Sequence, residues 1–397
     1  MSGRGVTRTR VGIVGAGPAG LMLSHLLHRA GIDAVNVDNR TRHQIEHTVR
    51  AGILEAGSVR LLTDTDVSDR VLRDGHAHDG IALRFQGESH RVDFKNLVGE
   101  STWLYPQTDV FIDLADARAR DGGDVRFGVS DTQIAGVTGA NPAILFTDAG
   151  GVAREIRCEV IVGADGSHSI CRQQLPETQR RTFAKEYPFA WFGFLVEAPP
   201  SAPELVYTHS DQGFALVSQR TTGMQRMYFQ CDPDEDVAAW SEDRIWTEIQ
   251  GRVAGPDGFV LREGPISDQT VLRFRSFVCE PMRYGNVLLA GDAAHTVPPT
   301  GAKGLNLALA DVRILAACLE RALDGGDLRA LDQYGPLALQ RVWRSQHFSY
   351  WMTQMLHALP DGDLYDRRRQ VAELRSVVGS TAGSTYLAEG YTGWPQG

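Results

Sequence analysis

Val11-Gly-Ile-Val-Gly-Ala-Gly-Pro-Ala-Gly20 decides the fold. Four residues of apolar strand feed Gly15-x-Gly17-x-x-Gly20, and helical periodicity continues to about Ala30. Gly15 allows a tight turn, Gly17 lets a pyrophosphate approach the backbone, and Gly20 lets helix and strand pack closely. Ala19 is expected among the cofactor-binding residues of the same turn. A second strand, Ala34 to Val37, ends at Asp38, which is placed to accept ribose hydroxyls. Strand, glycine turn, helix and acid in this order predict a βαβ unit that binds a dinucleotide.

Two further segments repeat the idea of a buried strand ending at an acid. The first is Val160-Ile-Val-Gly-Ala-Asp165-Gly-Ser-His-Ser169-Ile-Cys-Arg172. The second is Leu288-Leu-Ala-Gly-Asp292-Ala-Ala-His-Thr-Val-Pro-Pro-Thr-Gly-Ala-Lys-Gly-Leu-Asn306. In the latter, a Pro-Pro pair stiffens a turn, and glycines flank a helix expected from about Leu305 to Leu319. A helix opened by Gly301 and Gly304 points unpaired backbone N–H groups at whatever lies ahead of it. Asp292 offers a hydroxyl acceptor beside that positive helix end. The combination suits a polyhydroxylated cofactor whose far end gains negative charge.

The composition is that of a globular protein of more than one domain: 397 residues, 42% hydrophobic and 22% charged. A net charge of −9 speaks against a nucleic-acid partner, so an anionic ligand must be held by particular arginines. Cys158, Cys171, Cys231, Cys279 and Cys318 show no CxxC or Cys/His ligand spacing, so neither a disulfide framework nor a metal site is expected. The expected compartment is the reducing cytoplasm. Arg8 and Arg10 ahead of an apolar run mimic a signal peptide, but the glycines of the turn explain that run better. No run reaches the ~18–20 apolar residues of a membrane span.

The chain is expected to be α/β with mixed α+β parts. Residues 1–78, 103–180 and 275–296 read as a discontinuous, Rossmann-like three-layer cofactor domain, with a helical stretch around Gly52–Leu62. Residues 79–102 and 181–274 read as a β-sheet substrate domain with helical signals at Asp236–Val253. Residues 297–397 read as a C-terminal helical or interface region. Period two puts Phe214, Leu216, Ser218 and Arg220 on one strand face, and Arg226, Tyr228 and Gln230 on one face of the next. Two apolar side chains, a hydroxyl and a guanidinium suit a flat ring carrying a carboxylate, which arginine grips with paired hydrogen bonds.

GxGxxG, D-G-x-x-S-x-x-R and the Gly-Asp segment, in this order and at these positions, resemble the flavoprotein aromatic hydroxylases over essentially the whole chain. Val49-Arg-Ala-Gly-Ile-Leu-Glu55, Gly213-Phe-Ala-Leu-Val-Ser-Gln-Arg220, Arg275-Ser-Phe-Val-x-Glu-Pro-Met282 and Pro298–Asn306 narrow the resemblance to members acting on 4-hydroxybenzoate. It implies FAD as cofactor, NADPH or NADH as hydride donor, O2 as co-substrate, hydroxylation at the 3-position, and a homodimer. Related hydroxy- or aminobenzoates are the alternative substrates.

Site residues follow from the resemblance one at a time. Arg50 would meet the FAD pyrophosphate, Gln107 and Asp292 the ribityl region, and Asp38 the adenosine ribose. Asp165 belongs to the same cofactor cradle, and Leu305 and Asn306 would offer backbone N–H groups to the flavin's pyrimidine edge. Ser218, Arg220 and Tyr228 would bind the substrate carboxylate, with Pro299 beside the ring. Tyr207 would touch the phenol, Tyr391 would relay its proton, and His78 would stand at the solvent end of that relay. His168, Arg275, Arg40 and Arg42 would meet the nicotinamide cofactor. The stretch Asn39-Arg-Thr-Arg-His-Gln44 departs from the familiar NADPH pattern, so preference for NADPH is expected to be slight. A halogenase is disfavoured because W-x-W-x-I-P is absent; a binding module without turnover is the remaining reading.

Overall fold

The computed structural model describes residues 5–48 and 52–394. Arg50 lies outside the described residues.

Val11–Val14 is the hub of a six-stranded sheet ordered Arg283–Tyr284, Val287–Leu289, Val160–Gly163, Val11–Val14, Ala34–Asp38, Asp124–Phe127. All neighbours pair in parallel except the terminal hairpin. Parallel strands covered on both faces must be apolar throughout, and Val11, Ile13, Val160 to Val162 and Val287 to Leu289 are all buried. Helices Pro18–Arg29, Gln107–Arg120 and Gly304–Leu323 pack on one another over one face. A four-stranded sheet built from Gly5–Arg8, Ser130–Ala135, Ala143–Thr147 and Ala153–Arg157 covers the other. The approach is close at Gly12, where a Cβ would sit 2.7 Å from the Ile144 side chain. The result is three layers.

A second, eight-stranded sheet runs in the order His295–Thr296, Ile266–Glu280, Arg181–Val196, Met224–Cys231, Gly213–Thr221, Val206–Ser210, Gly80–Phe85, Glu88–Asp93. Alternation sorts its side chains. Phe192, Phe194, Val217, Met227 and Phe229 pack under the helix Glu242–Val253. Trp191, Tyr207, Phe214, Leu216 and Tyr228 face the opposite way, toward Phe348, Met352, Leu387 and Tyr391 of the C-terminal helices Ala330–Leu356 and Thr381–Thr392. Phe214, Leu216 and Tyr228 thus share one face as predicted, while a register shift between Gln219 and Thr221 interrupts the alternation at Arg220.

Some local expectations shift. The stretch read as helical from Gly52 begins as the strand Ile53–Glu55, with the helix at Ala56–Asp64. Residues 79–102, expected as strands, also hold a short helix, Phe94–Val98, because Asp93 caps it by accepting from the Asn96 N–H. The helix expected from Asp236 starts at Glu242, capped by Ser241. The helix expected over Leu305–Leu319 extends from Gly304 to Leu323. The boundary placed at 275 falls inside the continuous strand Ile266–Glu280, which ties the cofactor layers to the large sheet. No described helix is long and apolar enough to cross a membrane.

Candidate active site

One cavity of about 1680 Å³ is lined by residues of both the six-stranded and the eight-stranded sheet. At one end it is walled by the first glycine turn. Gly15 has φ +111°, and a Cβ there would strike the Ala164 carbonyl at 2.1 Å. Gly20 does not reach the cavity; its missing side chain lets the helix sit on the Gly15 carbonyl, 2.1 Å from where a Cβ would be. Gly17 and Ala19 line the cavity, as do Gly166 and Gly304. A Cβ at Gly17, Gly166 or Gly304 would meet nothing within 4 Å, so three stretches of bare backbone face open space. Gly17 caps Pro18–Arg29, so the positive end of that helix points inward.

Asp38 ends its strand buried, accepting the Ala16 N–H at 2.8 Å and the Arg40 N–H at 2.9 Å. The Arg40 guanidinium also grips the same carboxylate through Nε and Nη2, both at 3.1 Å. Arg42 does not join it. Its guanidinium pairs with Glu46 and Asp116 outside the cavity, because the Thr41 cap starts a helix turn that carries Arg42 to the other side.

The D-G-x-x-S-x-x-R pattern closes the middle. Asp165 lines the cavity, held by the Ser169 hydroxyl at 2.6 Å and the Cys171 N–H at 3.1 Å. Burial raises its carboxyl pKa, and these donors partly offset the rise. Arg172 donates to the Ala293 carbonyl at 2.8 Å and stacks over Phe277, which joins this loop to the Gly-Asp turn. Gln107 and Asp292 line the same stretch. Asp311, which the sequence reading passed over, fixes the turn. Its Oδ2 accepts the Gly291 N–H at 2.9 Å and meets His295 Nε2 at 2.6 Å. An acid inside the apolar run Leu305–Leu315 was the available signal.

Leu305 lines the cavity in the first turn of Gly304–Leu323, where backbone N–H groups have no intrahelical acceptor. The Asn306 side chain turns away: it accepts the Glu55 N–H at 2.9 Å and donates to the Ile53 and Ala302 carbonyls. Lys303, also passed over, lines the cavity yet is almost fully buried. Its ammonium donates to Glu55 at 2.7 Å and to the Tyr391 carbonyl at 2.9 Å, while Arg341 holds the other Glu55 oxygen. Burial lowers its pKa against the raising effect of Glu55.

At the far end the cavity is enclosed by Tyr207, Leu216, Ser218, Arg220, Tyr228 and Pro299. The hydroxyls of Tyr207 and Tyr391 are 2.6 Å apart and buried, though 184 residues separate them in sequence. Burial raises both phenol pKa values. The Ser218 hydroxyl donates to the Arg226 carbonyl at 3.1 Å. Burial, then the neighbouring Arg226 charge, lowers the Arg220 pKa. Gly193 gives Tyr228 its place, since a Cβ there would lie 2.8 Å from the ring.

His78 is the correction in this group. Expected at a solvent end, it is 1% exposed in the strand His76–His78, and neither ring nitrogen has a hydrogen-bond partner among the described residues. It does not line the cavity. The hydrogen-bonded pair ends at Tyr391. Burial pushes the His78 pKa down to about 4, against a smaller opposing effect of Glu204. His168 and Arg275, by contrast, are exposed and line the cavity.

Buried neutral histidines set a pH dependence. Burial lowers His25 and His209, and takes His78 to about 4 and His357 to about 3. Below the unfolded value of ~6.5 the unfolded chain binds protons that these native side chains refuse, so stability falls on acidification from there. His295 acts oppositely: burial alone would lower its pKa, but Asp311 raises it overall, so its contribution is lost as pH rises. The depressed group outnumbers it. Calorimetry is expected to show Tm lower at pH 5 than at pH 7.5 by about 5 °C or more; an equal or higher Tm at pH 5 contradicts this.

Comparison with known proteins agrees with this architecture. The profile of the FAD-binding domain family matches residues 8–349. The p-hydroxybenzoate hydroxylase of Acinetobacter baylyi is 42% identical over 389 residues, covering 98% of this chain and 96% of that protein. The 3-amino-4-hydroxybenzoate 2-monooxygenase of Streptomyces cremeus is 26% identical, over 94% of this chain and 96% of that one. The crystal structure of p-nitrophenol 4-monooxygenase from Pseudomonas putida superposes with a TM-score of 0.83 at 18% identity, over 99% of this chain and 100% of that one. The chain belongs to the FAD-binding family of flavin-dependent aromatic monooxygenases.

Proposed function

We propose that this protein hydroxylates 4-hydroxybenzoate at the 3-position. The observation that carries the reading is the polarity of the enclosed end of the cavity. Arg220 and Tyr228 offer donors for a carboxylate there, Ser218 can add one by turning its hydroxyl from the Arg226 carbonyl, and the Tyr207–Tyr391 hydroxyl pair offers a partner for a phenolic oxygen. The net reaction is phenol, O2, NAD(P)H and a proton going to catechol, water and NAD(P)+. It gives 3,4-dihydroxybenzoate.

The residues present fit FAD: the bare backbone at Gly17, Gly166 and Gly304, the inward helix ends and Asp38 form a cradle with room for it. Bound FAD supplies hydride acceptance and oxygen activation. The protein's part is to hold the ring, exclude water and manage one proton. A phenol pKa near ~10 must fall by about 3 units to give phenolate at neutral pH, roughly 4 kcal/mol. A Tyr207 O–H donating to the phenolic oxygen favours the ionised form. The proton passes to Tyr391 by hydroxyl rotation across the 2.6 Å contact.

A substrate panel tests the reading. NAD(P)H consumption should be stimulated by 4-hydroxybenzoate more than by other hydroxy- and aminobenzoates, with 3,4-dihydroxybenzoate as product. No stimulation, or peroxide as the sole product, overturns it. The homodimer is part of the proposal: Phe183, Trp343 and Tyr350 form an exposed aromatic face suited to a second copy, and light scattering at the monomer mass removes it.

The donor is assigned to Arg40, with His168 and Arg275 at the exposed side of the cavity. Arg40 shares its charge with Asp38, which it holds through Nε and Nη2, so its pull on a 2′-phosphate is weakened, and NADPH should be preferred over NADH by less than about tenfold. With FAD saturating, Arg40→Gln is expected to raise KM for NADPH more than for NADH. Arg42→Gln should change neither, because that side chain is committed to Glu46 and Asp116. Equal effects of Arg40→Gln on both donors would move the discrimination to His168 and Arg275.

A further inference from the structure

His357 is fully buried at the C-terminal end of Ala330–Leu356, and no step above uses it. Its Nδ1 lies 2.9 Å from the Thr353 carbonyl, which can only accept. Nδ1 therefore carries the proton, and Nε2 is a lone-pair acceptor. The indole N–H of Trp191 donates to that Nε2 at 2.6 Å. The indole can only donate and the neutral imidazole can accept only there, so the two groups define each other's orientation. Protonation of Nε2 would set two N–H groups face to face, in line with a histidine pKa pushed down to about 3, chiefly by burial.

The imidazole is also clamped by rings. It stacks on Phe189 at 4.6 Å and on Phe214 at 4.3 Å. Trp191 in turn lines the cavity and touches Phe214 at 5.1 Å and Tyr228 at 5.0 Å. Thr353, whose carbonyl fixes the histidine, donates its hydroxyl to the Ser349 carbonyl at 2.7 Å and meets the Thr300 hydroxyl at 2.9 Å, in the turn carrying Pro299. One buried imidazole thus joins the wall at Trp191 and Tyr228 to the turn on which Pro299 sits.

We propose that His357 is a positioning residue: as a neutral acceptor it locks the Trp191 indole, and through it Tyr228, into the wall that grips the substrate ring. The inference rests on assigning that wall to the aromatic substrate. A side chain of similar shape without the lone pair, such as phenylalanine, preserves the stack but leaves the indole N–H buried and unpaired. A carboxamide oxygen restores an acceptor.

The test compares FAD-loaded wild type, His357→Phe, His357→Gln and Trp191→Phe. In two-dimensional NMR the indole N–H signal assigned through Trp191→Phe should be shifted and exchange-protected in wild type. It should lose that shift and protection in His357→Phe and largely recover them in His357→Gln. The Kd for 4-hydroxybenzoate should rise about tenfold in His357→Phe, with KM changing more than kcat, and return most of the way in His357→Gln. The double variant with Trp191→Phe should lose no more than Trp191→Phe alone. An unmoved indole signal, or a Kd within twofold of wild type in folded His357→Phe, overturns the proposal; so do equal losses in the Phe and Gln variants. If His357→Phe does not fold, Trp191→Phe removes the same bond from the other side and must show the loss. Should wild type fail to bind 4-hydroxybenzoate, the substrate reading fails, while the indole signal still decides whether His357 holds Trp191.

Discussion

Arg220→Ala is expected to raise the Kd for 4-hydroxybenzoate by about 10²–10³-fold while FAD stays bound. Arg220 lines the cavity with Leu216 and Ser218, at the point where the strand Gly213–Thr221 shifts register. Burial and Arg226 both lower its pKa, so its positive charge sits at an electrostatic disadvantage that an incoming carboxylate relieves. Truncating one partner of a buried charge pair costs about 2–5 kcal/mol, which sets the size of the effect. Lysine should recover only part, because a point charge cannot make two parallel hydrogen bonds to a carboxylate. Ligand titration followed by flavin absorbance measures both terms. A Kd within threefold of wild type would place the carboxylate elsewhere.

What could be read from the sequence, and what could not, divides along contact range. The glycine turn at Gly15–Gly20 and the strand face of Phe214 and Leu216 are local patterns, because backbone geometry fixes where residues two or three apart point; the register shift at Arg220 is not visible in that period. Helix Glu242–Val253 was legible but misplaced at its start, since the decisive cap is the single residue Ser241. Lys303 and Glu55 lie 248 residues apart, and Trp191 and His357 lie 166 apart. No periodicity brings such pairs together; only packing of the large sheet against the C-terminal helices does. Tyr207, Tyr391 and His78 were named through family resemblance alone, and the outcome is mixed. The two hydroxyls meet, whereas His78 is buried in a strand paired with Thr102–Leu104 rather than exposed. Arg40 and Arg42 were inseparable as a pair of charges. A helix turn opening at Thr41 separates them, sending one to Asp38 and the other to Asp116.

Removing either hydroxyl of the tyrosine pair is expected to uncouple oxygen consumption from product formation. Both phenols are buried and their pKa values are raised, so neither ionises near neutral pH. The pair can therefore pass a proton only by exchanging donor and acceptor roles across its 2.6 Å contact. Tyr207→Phe removes the donor expected at the phenolic oxygen; Tyr391→Phe leaves that donor but takes away its outlet. In both variants the bound ligand should titrate at higher pH than in wild type, and product formed per NAD(P)H should fall below about half, with hydrogen peroxide making up the difference. Each single variant leaves the partner hydroxyl buried without its mate, at about 1–3 kcal/mol, and the fold should survive that loss because each phenylalanine keeps its ring contacts with Phe214 or Phe94. His78→Asn should leave both quantities close to wild type, since His78 does not line the cavity and no hydrogen bond joins it to the pair. Ultraviolet spectra of the bound ligand across pH, read beside a peroxide assay, separate the two tyrosines from the histidine. If phenolate fraction and product yield in both tyrosine variants match wild type, the proton leaves by another path, and the buried Lys303–Glu55–Arg341 chain beneath Tyr391 is the next to cut.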